Sequence, residues 1–193
     1  MSDLILVVIS AALVNNIVVD RVIGTDPALV FVRKMDVTRG MCLTMLVLLP
    51  TVTASAWLLD HWLLAPLHLE YLRLLVFVST IIVVCSLLKL YLHLLNKKLA
   101  ARITMFLPFA GINTTVLGAM LLNGEMAGTL LQALAFGLGS AAGFALILLI
   151  LTAATERIEG TDVPAPFRGL PILLVTLALI SMAFMGFTGL IKI

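Results

Sequence analysis

Four stretches of this 193-residue sequence, Met41 to Leu59, Ile103 to Gly124, Met126 to Thr155 and Gly169 to Ile191, contain no Asp, Glu, Lys or Arg. About 20 consecutive apolar residues cross the hydrocarbon of a bilayer as a helix, so each run is long enough to span. The chain is 62% hydrophobic and 11% charged, whereas soluble domains sit near half apolar and a quarter charged. That balance excludes a water-soluble enzyme. Two further stretches read as spans that carry polar residues: Leu4 to Ile23, with Asn15, Asn16, Asp20 and Arg21, and Leu74 to Leu95, with Lys89 and His93. The expectation is an all-α integral membrane protein with six transmembrane helices in a single membrane domain, residues 1–193.

A net charge of +2 leaves no basic face for nucleic acid. The two cysteines, Cys42 and Cys85, lie inside apolar runs without a Cys-x-x-Cys or a His-rich neighbourhood, and read as small buried hydrophobes. Met1-Ser2-Asp3-Leu4 lacks the basic n-region and cleavage site of a secretory signal, so the first span is expected to stay in the mature protein. Cationic residues mark cytoplasmic loops. They gather at Arg33, Lys34 and Arg39, at Lys97, Lys98 and Arg102, and at Arg157 and Arg168, while the alternate loops hold only Arg73 or none. Both termini are therefore expected on the periplasmic side of a bacterial inner membrane.

Helix breaks inside a bilayer are tolerated only where protein or a cavity covers them. Two segments carry such signals near mid-span. One is Leu13-Val14-Asn15-Asn16-Ile17-Val18-Val19; the other runs from Pro108 through Gly111, Asn113, Thr114 and Thr115 to Gly118. Val14 to Val19 reads V-N-N-I-V-V against I-N-T-T-V-L for Ile112 to Leu117. They open the two halves of the chain, 1–98 and 99–193, each with three spans. An odd number of spans per half inverts the second half, so the pattern reads as a 3+3 inverted repeat with its first and fourth helices interrupted near the midplane, the arrangement of many transporters. Asn15, Asn16 and Asn113 line the interruptions; single Asn and Thr residues also serve simply as hydrogen-bonding glue between packed helices. Gly139 and Gly143 form a Gly-x-x-x-Gly that suits close helix packing. No nucleotide-binding or hydrolase motif is present.

Several segments together carry a family resemblance: Leu13-Val14-Asn15-Asn16, Gly24 and Pro27, Phe106-Leu107-Pro108, Asn113, Val116-Leu117-Gly118, Asp162-Val163-Pro164-Ala165-Pro166-Phe167-Arg168-Gly169 and Ala183-Phe184-Met185-Gly186-Phe187. Over its whole length the sequence resembles the RnfA subunits of Rnf electron-transport complexes and, more distantly, the equivalent subunit of the sodium-pumping NADH:quinone oxidoreductase, Nqr. The resemblance implies a non-catalytic-alone membrane subunit of an ion-translocating ferredoxin:NAD oxidoreductase. Its implied partners are an RnfE-like sister subunit in opposite orientation, the B, C, D and G subunits of the complex, and, at the level of the complex, ferredoxin and NAD. It also implies one [2Fe-2S] cluster, shared with the sister subunit through cysteines of the interrupted helices.

This sequence departs from that pattern at the ligand positions. Where the family has G-L-C-P it has Gly24-Thr25-Asp26-Pro27, and where the family has T-N-C-A it has Ile112-Asn113-Thr114-Thr115. Thiolates hold such clusters as soft, anionic donors; a carboxylate oxygen at Asp26 is a possible ligand and the neutral Thr114 hydroxyl a poor one. Three alternatives stay open: a subunit on the electron path with the cluster absent, relocated or held by its partner; unusual ligation through Asp26 and Thr114; and a free-standing inverted-repeat transporter or purely structural subunit.

Overall fold

The computed structural model describes residues 2–20, 35–95, 97–126 and 128–187, and every regular element among them is helical. Helices satisfy their own backbone hydrogen bonds, which an apolar surrounding demands. Helix α1, Ser2–Ile9, widens into a π-helical turn, Ser10–Val14, and the chain resumes as α2, Ile17–Asp20. Helix α3, Met35–Leu59, is followed by α4, Arg73–Leu95, α5, Lys97–Ile112, and α6, Thr114–Met126. The long α7, Leu130–Glu159, is capped by Thr129, whose hydroxyl accepts from the Gln132 amide, and α8 is Leu170–Met185.

Among the described residues, three helical stretches are long and apolar enough to cross a membrane: Met35–Leu67, Glu70–Leu94 and Leu130–Glu159. A fourth results if Ala101–Ile112 and Thr114–Gly124, which meet at 66°, form one bent span. The described parts of the first and last expected spans are the shorter apolar helices Leu4–Val19 and Leu170–Met185.

The segment between the second and third expected spans, residues 60–72, is not an irregular loop but a series of helical turns. Helix α3 runs on through a wide turn, Asp60–Leu64, and a short helical turn, Ala65–Leu67, before the chain reverses at His68, the one non-glycine residue at positive φ (54°) among the described residues. Charge does not end the helix because it is neutralised locally. Arg73 grips Asp60 with two prongs, Nε to Oδ1 at 3.1 Å and a terminal nitrogen to Oδ2 at 3.0 Å, and His61 stacks on Trp57 with ring centroids 5.1 Å apart.

Helices α3 and α7 form the centre. Thr38 and Thr152 share a hydrogen bond of 2.9 Å at one end, while further along α3 and further back along α7 Pro50 and Thr53 meet Gly137, so the two run antiparallel. A Cβ on Gly137 would lie 2.7 Å from Pro50 Cα and closer still to Thr53 Oγ1; only glycine admits this approach. Met41, Met45, Leu48 and Leu49 of α3 and Phe144, Ile147, Leu148 and Leu151 of α7 are fully buried around it. Helix α4 is peripheral, with Leu74, Leu75, Ile82, Val83, Leu87 and Leu94 all more than half exposed.

Candidate functional site

Both polar segments singled out in the sequence coincide with breaks in the helical ladder. At the first, the Asn15 amide closes the π-helical turn onto Ser10 O at 2.7 Å, and its side chain donates to Ser10 Oγ at 3.0 Å. Asn16 then restarts the chain. Its Oδ1 accepts the Val18 amide at 3.0 Å, its carbonyl accepts the Val19 amide at 3.1 Å, and its Nδ2 donates to Ala12 O at 2.9 Å. This is the usual capping solution, in which a short side-chain acceptor replaces a missing intrahelical partner. Asn16 is buried and Asn15 exposed.

The second break repeats the device. The Asn113 amide ends α5 on Ala110 O at 3.2 Å; Asn113 Oδ1 then accepts the Thr115 amide at 2.9 Å and its carbonyl the Val116 amide at 3.0 Å, which starts α6. Pro108, which has no amide to donate, already weakens the end of α5. The hydrogen bonds pair Asn16 with Asn113, one residue out of register with the string match, which aligns Asn15 with Asn113. The counterpart of Thr114 is thus Ile17. A cap is defined by the residue immediately before the restart, and two adjacent asparagines in the first segment hide which one that is.

Long helices cover the breaks crosswise. Gly139 and Gly143 of α7 bring α1 and the π-helical turn to van der Waals contact: a Cβ on Gly139 would lie 2.6 Å from Val8 O, and one on Gly143 2.7 Å from Asn16 Nδ2 and 2.8 Å from Ala12 O. Helices α5 and α6 instead pack on α3, where Asn123, fully buried, donates to Thr53 O at 3.0 Å. The resumed segments α2 and α6 touch each other. Helix α8 lies beside α2, with Ser181 Oγ donating to Val19 O at 3.4 Å, and a cavity of about 230 Å³ lined by Val14, Asn16, Ser181 and Phe184 opens between them.

Among the described residues, four buried polar atoms have no partner: Asn113 Nδ2, Thr115 Oγ1, Asn123 Oδ1 and Ser140 Oγ. Two of them flank the second restart. Buried polar groups are normally paired, by protein or by water, so this region is under-satisfied compared with the first break, where both ends of the Asn16 amide are used. Sequence patterning gives Thr115 no role of its own and passes over Asn123, because a Thr or Asn in an apolar run reads equally well as helix-packing glue.

Of the two positions at which the resemblance implies cysteine, Thr114 opens α6 and is exposed, and Asp26 lies outside the described residues. Neither cysteine of the chain replaces them as a thiolate pair. Cys42 Sγ points across to Ala145 O of α7 at 3.8 Å. Cys85, on α4, faces the second break from the next helix, its Sγ 3.0 Å from where a Cβ on Gly111 would stand. Among the described residues no three His, Cys, Asp or Glu side chains gather in a metal-holding group. With one thiol committed to a helix interface, the other in no such group among the described residues and a neutral hydroxyl at 114, these donors do not suit a [2Fe-2S] cluster.

A family model described as "Rnf-Nqr subunit, membrane protein" matches residues 4–191. Three relatives, each described as the A subunit of an ion-translocating oxidoreductase complex, are similar along their whole length. The chain is 38% identical over 193 residues to that of Histophilus somni (strain 129Pt), 39% identical to that of Glaesserella parasuis serovar 5 (strain SH0165), and 38% identical to that of Shigella boydii serotype 4 (strain Sb227), with 100% of both chains covered each time. The family model covers nearly the whole chain and the similarity to these relatives runs end to end, so the chain belongs to the Rnf-Nqr family of membrane subunits.

Proposed function

We propose that this chain works as the RnfA-type subunit of an ion-translocating ferredoxin:NAD oxidoreductase in the bacterial inner membrane, seated where electrons cross between it and a homologous sister subunit of opposite orientation. The observation that carries this reading is the pair of helix breaks, each restarted by the same asparagine device and each covered by a long helix of the other half.

The packing supports a 3+3 inverted repeat. Asn16 and Asn113 are 97 residues apart (113 − 16) and do the same job. Exchanging the halves exchanges α1 on α7 for α5 on α3, leaves the antiparallel α3–α7 centre in place, and exchanges α8 beside α2 for α4 beside α6. Broken helices in such repeats bring exposed backbone ends to the membrane interior at a shared centre. Loop charge supports periplasmic termini. The partners in this reading are the RnfE-like sister, the B, C, D and G subunits, and, through the complex, ferredoxin and NAD. Because the chain offers no thiolate at 26 or 114, its part in electron transfer is to shape and cover the centre, with iron held elsewhere.

An affinity tag on this chain, expressed at its natural level and purified from native membranes in mild detergent, tests the assignment. The redox subunits and the sister subunit should co-purify in stoichiometric amounts. Recovery of this chain alone would support a free-standing transporter instead.

A further inference from the structure

At the end of the bundle where α7 gives way to α8, a cavity of about 600 Å³ is lined by Ile158, Glu159, Asp162, Arg168, Gly169 and Ile172, among others. A narrower cavity of about 90 Å³ shares Ile158, Glu159, Gly169 and Ile172 with it and continues between the helices past Leu173. The shared walls make the two one groove, polar at its mouth and apolar in its depth. The threonines of the deep part do not change that: Thr155 Oγ1 donates to Leu151 O at 2.7 Å and Thr176 Oγ1 to Ile172 O at 2.8 Å, each within its own helix.

The groove's polarity follows the bilayer. Helix α7 has 30 residues and so rises about 45 Å, more than the roughly 30 Å of hydrocarbon. Its charges, Glu156, Arg157 and Glu159, all sit in the last turn, so this is the end that stands at headgroup level, with the apolar first turns of α8 leading inward. The charges at the mouth are of both signs yet do not pair. Arg168 uses its Nε to hold the loop, donating to Val163 O at 2.8 Å, which leaves its two terminal nitrogens free. The ion pairs formed among the described residues are Arg39 with Asp36 and Arg73 with Asp60; Glu159 and Asp162 join neither. One cation and two carboxylates thus line one opening with their valences unspent.

We propose that this groove holds one zwitterionic phospholipid with a primary-amine headgroup. Its phosphate lies on the free guanidinium nitrogens of Arg168, its ammonium donates to Glu159 and Asp162, and an acyl chain runs inward along Ile172 and Leu173. The local charge of one cation against two carboxylates disfavours an anionic headgroup, and a quaternary ammonium has no N–H with which to satisfy the carboxylates. This inference does not depend on the redox assignment.

The test uses the assembled complex in nanodiscs doped with either phosphatidylethanolamine or phosphatidylglycerol carrying a diazirine in one acyl chain. Adducts are mapped by mass spectrometry on residues 170–176 and, as a measure of general lipid contact, on the exposed face of α4. Labelling of 170–176 by the ethanolamine lipid should exceed that by the glycerol lipid at least fivefold. The double variant E159Q/D162N, which keeps the Arg168–Val163 contact, should bring it down to the glycerol level, with α4 labelled alike throughout. Equal labelling by the two lipids, a preference that survives E159Q/D162N, or no labelling of 170–176 while α4 is labelled, the sign of a protein segment in the groove, would each overturn the proposal.

Discussion

Asn16 and Asn113 accept the backbone amide two residues ahead in the same way, at 3.0 Å from Val18 and 2.9 Å from Thr115, but only Asn16 also donates, to Ala12 O at 2.9 Å. The two caps are therefore equal as acceptors and unequal as donors. Replacing either by Ala strands a buried amide and should cost about 1–3 kcal/mol. Serine keeps an acceptor at the cap, so N113S should retain most of the stability, whereas N16S leaves Ala12 O without its partner and should cost about 1 kcal/mol more than N113S. Denaturing-detergent titrations of the assembled complex, read from a fluorophore on this subunit, check the order N113S, then N16S, then the alanine variants.

Glycine 143 sets how closely the first break can approach α7. G143A places a methyl 2.7 Å from Asn16 Nδ2 and 2.8 Å from Ala12 O, and the second of these is backbone that cannot turn aside. The cost should be about 1–3 kcal/mol, with reduced recovery of the complex. G160A is the control: its methyl would stand 3.6 Å from Arg157 O, an ordinary contact, and it should change stability by no more than about 0.5 kcal/mol. Comparing the yield and detergent-denaturation midpoint of the two variants tests the packing.

Much of this architecture is written in the residues. The charge-free runs read as helices because nothing else satisfies the backbone there, and the asparagines mark both breaks. Three features were hidden, each for a physical reason. The helical extension through Asp60 and His61 was obscured because a charge reads as a helix end unless its partner is known, and that partner, Arg73, is 13 residues away. Which asparagine of the first break matches Asn113 was obscured because Asn15 and Asn16 are chemically alike and only their hydrogen bonds separate a turn-closing role from a capping one. The approach of Cys85 to Gly111 is a tertiary contact between different helices, and a lone cysteine in an apolar run carries no local sign of it.

The under-satisfied second break bears on autonomy. Asn113 Nδ2 and Thr115 Oγ1 lack partners, and Phe109 and Ile112 beside them are 54% and 85% exposed. Expressed without its partner subunits, the chain should be degraded or aggregate in mild detergent. Size-exclusion chromatography checks this; a monodisperse, long-lived monomer is the contrary result.

The resemblance places cluster cysteines at positions 26 and 114, and the thiolates this chain lacks there can be supplied by substitution. With the sister subunit's own cysteines intact, D26C/T114C should create or strengthen a [2Fe-2S] signal in electron paramagnetic resonance of the reduced complex, accompanied by added iron, while each single variant should do so weakly or not at all. Unchanged spectra in a fully assembled double variant would place positions 26 and 114 apart.

The central claim, that this chain is an obligatory part of a redox-driven ion translocase, is tested most directly by ion uptake into inverted membrane vesicles driven by reduced ferredoxin and NAD. Vesicles from cells lacking the chain should show neither ferredoxin-dependent NAD reduction nor the associated sodium or proton uptake, and both should return when the wild-type chain is restored. If both persist at the wild-type level in its absence, with the other subunits present in normal amounts, the account is contradicted.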